Sequence, residues 1–232
     1  LNLGIAEANM IGVAAGLAAH GNSFAGVFVF DDFPAIRDNP TIRALWPPTN
    51  VLSPPENSGV GGRPLANLSF ALNYALGGVG AGGYHAGNLL LHLGSALLLF
   101  GIVRRTWRAG GTWLACAVAM VWTVHPLTTA AVSYLSQRTE LLMAACYLLT
   151  LHAFIRACES RQIGWQIASV GACALGMMSK EVMVTAPLVV LLYDRTFVGG
   201  SFGAAWAQRR AYYTALGATW IILAYLLTTG LS

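Results

Sequence analysis

The sequence predicts an all-α integral membrane protein with about seven spans, and three observations lead to that fold class. Of 232 residues, 56% are hydrophobic and only 9% are charged, whereas a soluble domain carries about 25% charged residues. The apolar residues gather into runs of helical length, with Gly, Pro and charge between them. The basic residues fall unevenly on alternating connections, as in a chain threaded repeatedly through a bilayer.

The runs occupy about 3–20, 85–103, 111–125, 140–156, 162–178, 182–194 and 211–230. Some are short for a hydrocarbon core of about 30 Å at 1.5 Å per residue, so such a helix would open onto a cavity or extend beyond its apolar run. Placing the connections on alternate sides puts Arg104, Arg105, Arg108, Arg156, Arg161, Arg195, Arg209 and Arg210 on one face. Arg37, Arg43, Arg63, Arg138 and Lys180 fall on the other. The richer face is read as cytoplasmic, which makes the long segment of about 21–84 an outer loop.

That loop changes character along its length. Val27-Phe28-Val29-Phe30 is β-prone, and the Pro- and Gly-rich stretch from Pro34 to Pro64 leaves little room for regular helix. Leu65, Leu68, Leu72 and Leu76 then recur at helical spacing, with Asn67, Ser69 and Asn73 between them. This pattern suits an amphipathic helix on the membrane surface. Asn67-Leu68-Ser69 is a formal glycosylation sequon, a short motif common by chance.

Residues 1–232 read as a single membrane domain. The chain opens on Leu1 and stops at Ser232 directly after an apolar run, so a piece of a longer protein is expected. No removable signal peptide is recognisable. The formal charge of +4 comes with no basic stripe, and no nucleic-acid partner is expected. Cys116, Cys146, Cys158 and Cys173 lie in or at the ends of apolar runs without metal-knuckle spacing; they read as small apolar helix residues.

Four constellations carry chemistry. Asp31-Asp32 opens the outer loop, where adjacent carboxylates serve as a proton acceptor, a cation site or a solvated acidic turn. His85, Asn88 and His92 share one helical face; the two imidazoles stand about 10 Å apart along the axis, too far to share one zinc. Hydrogen bonding between helices is the favoured role, with His85 the better substrate contact. His125-Pro126 should break the third span near the outer surface, and Arg138 and Glu140 follow at the mouth of the fourth. Arg138 is open to either a substrate role or interface anchoring. Lys180, the one lysine in the chain, lies beside Glu181 and either holds a phosphate or belongs to a short turn.

These stretches resemble the membrane domain of the transmembrane O-mannosyltransferases that carry tetratricopeptide repeats, within the GT-C glycosyltransferase superfamily. The resemblance rests on Phe28-Val-Phe-Asp-Asp-Phe-Pro-Ala-Ile-Arg-Asp-Asn-Pro40, Arg63-Pro-Leu with Leu72-Asn-Tyr-Ala-Leu-Gly-Gly78, and Tyr84-His-Ala-Gly-Asn-Leu-Leu-Leu-His92. It continues in His125-Pro126 with Arg138-Thr-Glu-Leu-Leu142, and in Ser179-Lys-Glu181 with Tyr193-Asp194. It implies a GT-C-like fold in a bacterial inner membrane or an endoplasmic reticulum membrane, with the active site on the outer or lumenal face. It also implies a polyprenyl-phosphate sugar donor, of a hexose such as mannose, and a hydroxyl acceptor on protein Ser/Thr or a glycan. Asp31 and Asp32 fall on the acidic position that acts on the acceptor. The requirement for a divalent metal stays open, and the insert around Pro47–Gly62 departs from the family pattern.

The residues suit that chemistry on independent grounds. A departing lipid phosphate gains negative charge, which cations stabilise, and Arg63, Arg138 and Lys180 are available on the outer side. An acceptor hydroxyl gives its proton to a carboxylate within reach. His85, His125, Glu140 and Glu181 complete the expected substrate contacts. The rival readings are a transporter or lipid flippase, using Glu7, His92 and Arg138 along a path, and a catalytically silent scaffold.

Overall fold

The computed structural model describes residues 3–107, 109 and 111–229; Arg108, assigned above to the cytoplasmic face, lies outside them. Among the described residues there is no strand. Each of the seven apolar runs is helical: α1 (Leu3–His20), α4 (Ala81–Thr106), α5 (Gly111–Val124), α7 (Arg138–Ser160), α8 (Ile163–Met177), α9 (Ala186–Phe197) and α10 (Phe202–Thr229). Three shorter helices join them: α2 (Pro48–Leu52), α3 (Pro64–Gly77) and α6 (Pro126–Ser133).

Seven helices are not seven clear crossings. Ala81–Thr106, Leu135–Ser160 and Phe202–Thr228 are long and apolar enough to span a membrane, and a fourth span results if α5 and α6, bent by 59°, are taken together. The difference is geometric. With 15 residues, α8 reaches about 22 Å, and α9 with 12 about 18 Å, against about 30 Å of hydrocarbon. Helices α4 and α7 gain residues beyond their apolar runs because Ala81–Tyr84 and Arg138 belong to them.

Two apolar cores stack along the bundle. One joins α4, α7, α8, α9 and α10 through Phe154, Met177, Val190, Tyr212 and Leu216. The other holds the outer loop on α3 and α4 through Ile36, Ile42, Val60, Phe70, Tyr84 and Leu135. At one end Arg105 pairs with Glu159 at 3.1 Å, and buried Asp194 accepts from Arg209 at 3.0 Å and from Tyr213 at 2.6 Å. Arg138 starts α7, at the opposite end of that helix from Glu159, and Lys180 joins it there through Glu140.

The outer loop is folded, although largely without regular structure. Val27–Val29 form no strand, and short turns at Phe33–Arg37 and Pro40–Ile42 precede α2. Asn67 pins the loop to α3: its amide donates to Thr41 Oγ1 at 2.8 Å and to the Val51 carbonyl at 2.7 Å, and its Oδ1 accepts from Asn39 at 2.9 Å. The sequon asparagine is therefore fully buried. Helix α3 lies inverted with respect to a simple polar-out reading, with Asn67, Phe70 and Ala71 inward and Leu72 and Leu76 exposed. Those leucines are free to face lipid.

The break at His125-Pro126 is present and locally satisfied. Pro126 has no N–H, and the Leu127 N–H turns to His125 Nδ1 at 3.2 Å, which leaves the Thr123 carbonyl without its helical donor. His20 Nε2 and His92 Nε2 take that carbonyl at 3.1 and 2.9 Å. His92 thus performs the interhelical role anticipated for it.

Candidate active site

The acidic pair sits on a tight turn held from both sides. The Asp32 N–H donates to the Val29 carbonyl at 2.9 Å and the Ala35 N–H to the Asp31 carbonyl at 3.0 Å. In return the Asp32 carboxylate accepts the Val29 N–H at 3.1 Å and the Ser136 N–H at 2.8 Å. Asp32 is 1% exposed, so both oxygens are consumed in tying the turn to the approach to α7. Burial pushes its carboxyl above the usual carboxylate range, against the lowering effect of the two amides and of nearby His85.

Asp31 differs in every respect. Its residue is exposed, and its N–H donates to Tyr134 Oη at 3.1 Å. The outer-loop segment passes beside it: a Cβ at Gly59 would stand 3.3 Å from Asp31 Cβ. Glycine here allows a close approach that a side chain would crowd.

His85 is 1% exposed, and a Cβ at Gly26 would come within 2.7 Å of its Nε2. Neither ring nitrogen makes a well-formed hydrogen bond, although the Gly26 backbone lies beside the ring. Its neighbour Asn88 is engaged, donating to the Val132 carbonyl at 3.3 Å.

Arg138 is enclosed at 1% exposure. Its Nε donates to Asn88 Oδ1 at 2.7 Å, Nη2 to the Tyr84 carbonyl at 2.6 Å, and Nη1 to Asn73 Oδ1 and the Ser69 carbonyl. The guanidinium stacks on Phe70 at 4.7 Å, so one side chain joins α3, α4 and α7. A Cβ on Gly87 would meet Nη2 at 2.7 Å, which accounts for glycine there.

The remaining cations lie on an open cavity. Arg63, Lys180, Glu181, Glu56 and the α10 side chains Leu223 and Leu226 line about 210 Å³. Lys180 pairs with Glu140, and Arg63 with Glu181 at 3.7 Å. Neither aspartate lines this cavity; the loop backbone links the two, since Arg63 Nη1 donates to the Gly59 carbonyl at 3.1 Å and Gly59 lies against Asp31. His125 stands apart. It is exposed at the α5–α6 break, in a groove lined by Trp122, Val121 and Leu127, and no other expected site residue lines that groove.

Among the described residues no three His, Cys, Asp or Glu side chains converge as a metal site. Tyr134 and Gly59, which position Asp31, carried no signal in the sequence: their roles depend on segments 103 and 28 positions away. Asn73 was visible as a polar position between the α3 leucines and within the motif Leu72-Asn-Tyr-Ala-Leu-Gly-Gly78, without any sign of its bond to Arg138.

A model of the dolichyl-phosphate-mannose-protein mannosyltransferase family matches residues 61–229. The chain belongs to that family. The match covers Arg63, Arg138 and Lys180 and starts beyond Asp31-Asp32. Protein O-mannosyl-transferase Tmtc1 of Drosophila melanogaster is 35% identical over 181 residues, which is 75% of this chain and 21% of the relative. Human Protein O-mannosyl-transferase TMTC2 is 32% identical over 201 residues, 81% of this chain and 24% of the relative. Human Protein O-mannosyl-transferase TMTC1 is 30% identical over 215 residues, with 82% and 24% covered. The chain therefore spans about a fifth to a quarter of the length of these mannosyltransferase relatives. No solved structure is significantly similar.

Proposed function

We propose that this chain is the catalytic membrane part of a glycosyltransferase that moves mannose from a polyprenyl phosphate to a protein Ser/Thr hydroxyl. The reaction takes place on the outer or lumenal face of a bacterial inner or endoplasmic reticulum membrane, with the seven long helices as seven crossings. The observation that carries the reading is the contrast between exposed Asp31 and buried, doubly hydrogen-bonded Asp32, with a cation-lined cavity tied to the same loop by the Arg63–Gly59 bond.

Asp31 is the base. As the acceptor oxygen bonds to the anomeric carbon of the sugar, its proton passes to the Asp31 carboxylate, and the bond from that carbon to the phosphate oxygen breaks with its electron pair going to the lipid phosphate. A carboxylate exposed at a turn tip is free to approach the hydroxyl; Asp32, with both oxygens occupied, keeps the turn in place. Arg63 and Lys180 hold the donor phosphate. Their present partners support this: the Arg63–Glu181 pair is wide, and Glu181 is 55% exposed, so the pair is worth about 0–1 kcal/mol and yields readily to a phosphate. Glu140 restrains Lys180. Arg138 acts as a positioning residue for α3, α4 and the Tyr134–Ser136 segment, His85 borders the turn from beneath, and His125 contributes a distal contact along the α5–α6 groove.

The test uses the complete protein with a polyprenyl-phosphate mannose donor and a Ser/Thr peptide. Asp31→Asn removes the base while keeping size and should lower turnover by about 10²–10⁴-fold with an unchanged melting temperature. Asp32→Asn should lower both turnover and stability. Full transfer by Asp31→Asn would refute the assignment, and absence of transfer or donor cleavage by the parent protein would favour the transporter or scaffold readings.

A further inference from the structure

Phe30 is an aromatic residue in the wrong backbone region. Its φ is +44°, in the left-handed region that L side chains enter at a cost and glycine enters freely. Among the described residues Arg161 is the one other non-glycine with positive φ. Arg161 is explained by its place, since it ends α7 in the left-handed conformation that commonly terminates helices. Phe30 terminates nothing. It also forgoes burial: its side chain is 83% exposed, while Phe28, two residues earlier, packs edge-on against Tyr84 at 6.1 Å.

The turn is built to hold that conformation. The Asp32 carboxylate accepts the Val29 N–H, the Phe33 N–H donates to the Phe30 carbonyl at 3.2 Å, and Tyr134 fixes the Asp31 N–H. The bonds therefore lock the residues on both sides of Phe30 and leave its side chain exposed on the residue next to Asp31. Strained residues persist where the surroundings over-determine them, and such residues cluster at working sites.

We propose that Phe30 is a specificity-determining residue that receives an apolar side chain next to the acceptor Ser/Thr of an extended polypeptide. The inference rests on the reading of Asp31 as the base. Adjacent Cα atoms are about 3.8 Å apart, and a base needs the acceptor oxygen within about 2.6–3.2 Å. A peptide hydroxyl at Asp31 therefore brings the residues flanking it to contact distance of the Phe30 ring. A lipid chain is the poorer occupant, because sinking Phe30 into hydrocarbon would carry the exposed Asp31 carboxylate with it.

The experiment uses the complete protein, polyprenyl-phosphate mannose and two peptides that differ only in the residue beside the acceptor, Leu or Asn. The parent should favour the Leu peptide by about tenfold in kcat/KM, a contact-sized discrimination. Phe30→Gly, which suits the backbone, should bring that ratio close to one, with the loss appearing in KM for the Leu peptide; Phe30→Leu should retain most of it. Absence of a preference in the parent, an unchanged preference in Phe30→Gly, or an equal loss on both peptides would each overturn the proposal. Asp31→Asn in the same assay separates the two ideas. If it is inactive while Phe30→Gly keeps the preference, only the role of Phe30 fails; if it transfers normally, the reading of the base fails.

Discussion

Replacing Arg138 by Lys preserves the charge and discards the fork. The guanidinium reaches four acceptors in different directions: Asn88 at 2.7 Å, the Tyr84 carbonyl at 2.6 Å, the Ser69 carbonyl at 3.4 Å, and Asn73. It also covers the Phe70 face at 4.7 Å. A lysine ammonium is a single point with three donors and cannot span α3, α4 and α7 together, so about two buried acceptors lose their partner. Each orphan costs about 1–3 kcal/mol, giving about 2–6 kcal/mol in all, a large share of a net stability of about 5–15 kcal/mol. At about 2–4 °C per kcal/mol for a chain of this size, the melting temperature in detergent should fall by about 4–24 °C. Turnover should fall too, because Ser136 and Tyr134, which tether the acidic turn, lie immediately before Arg138. The donor KM should stay within about twofold, since the guanidinium is 1% exposed. A double-mutant cycle with Asn88→Ala should show coupling of about 0.5–3 kcal/mol. An unchanged melting temperature together with a donor KM raised tenfold would refute this reasoning and make Arg138 a direct ligand of the donor.

Two further outcomes follow from the same geometry. Because burial raises the folded-state pKa of Asp32, the folded protein holds that proton more tightly than the unfolded chain does. The contribution favours folding below the unfolded value of about 3.9 and is lost as pH rises through the folded value. The melting temperature of the parent minus that of Asp32→Asn, measured by thermal scans, should therefore decline from acid toward neutral pH; a difference that grows would mean the two amides outweigh burial. For sidedness, single cysteines placed at Ser58 and Ser201 in a cysteine-free chain should respond differently to an impermeant thiol reagent. Ser58 should label from outside and Ser201 only after permeabilisation, and labelling of both from one side would refute the seven-crossing arrangement.

The local elements were legible because they depend on local chemistry. Apolar run length located every long helix, Pro126 located the break, and the Leu65–Leu76 spacing located α3. Boundaries shifted where Arg138 and Ala81–Tyr84 extend helices beyond the apolar runs, which hydropathy cannot anticipate. The number of crossings was less legible, because a 12-residue helix such as α9 is apolar enough to suggest a span yet shorter, at about 18 Å, than the hydrocarbon core.

Sequence by itself determined the class: too few charges for a soluble fold, helical apolar runs, a two-ended distribution of arginine, and motif stretches that place the chain in its family. Which of two adjacent aspartates is available for chemistry was a tertiary decision. Asp31 and Asp32 are chemically identical neighbours, and no local pattern distinguishes them. The distinction comes from Ser136, 104 positions away, whose N–H occupies Asp32, and from Tyr134, which holds Asp31 by its N–H while the residue stays exposed. Arg138 was likewise a cation of open role until packing surrounded it with Ser69, Asn73, Tyr84 and Asn88. Long-range hydrogen bonds make these residues different, because burial and partner geometry exist only once distant segments have met.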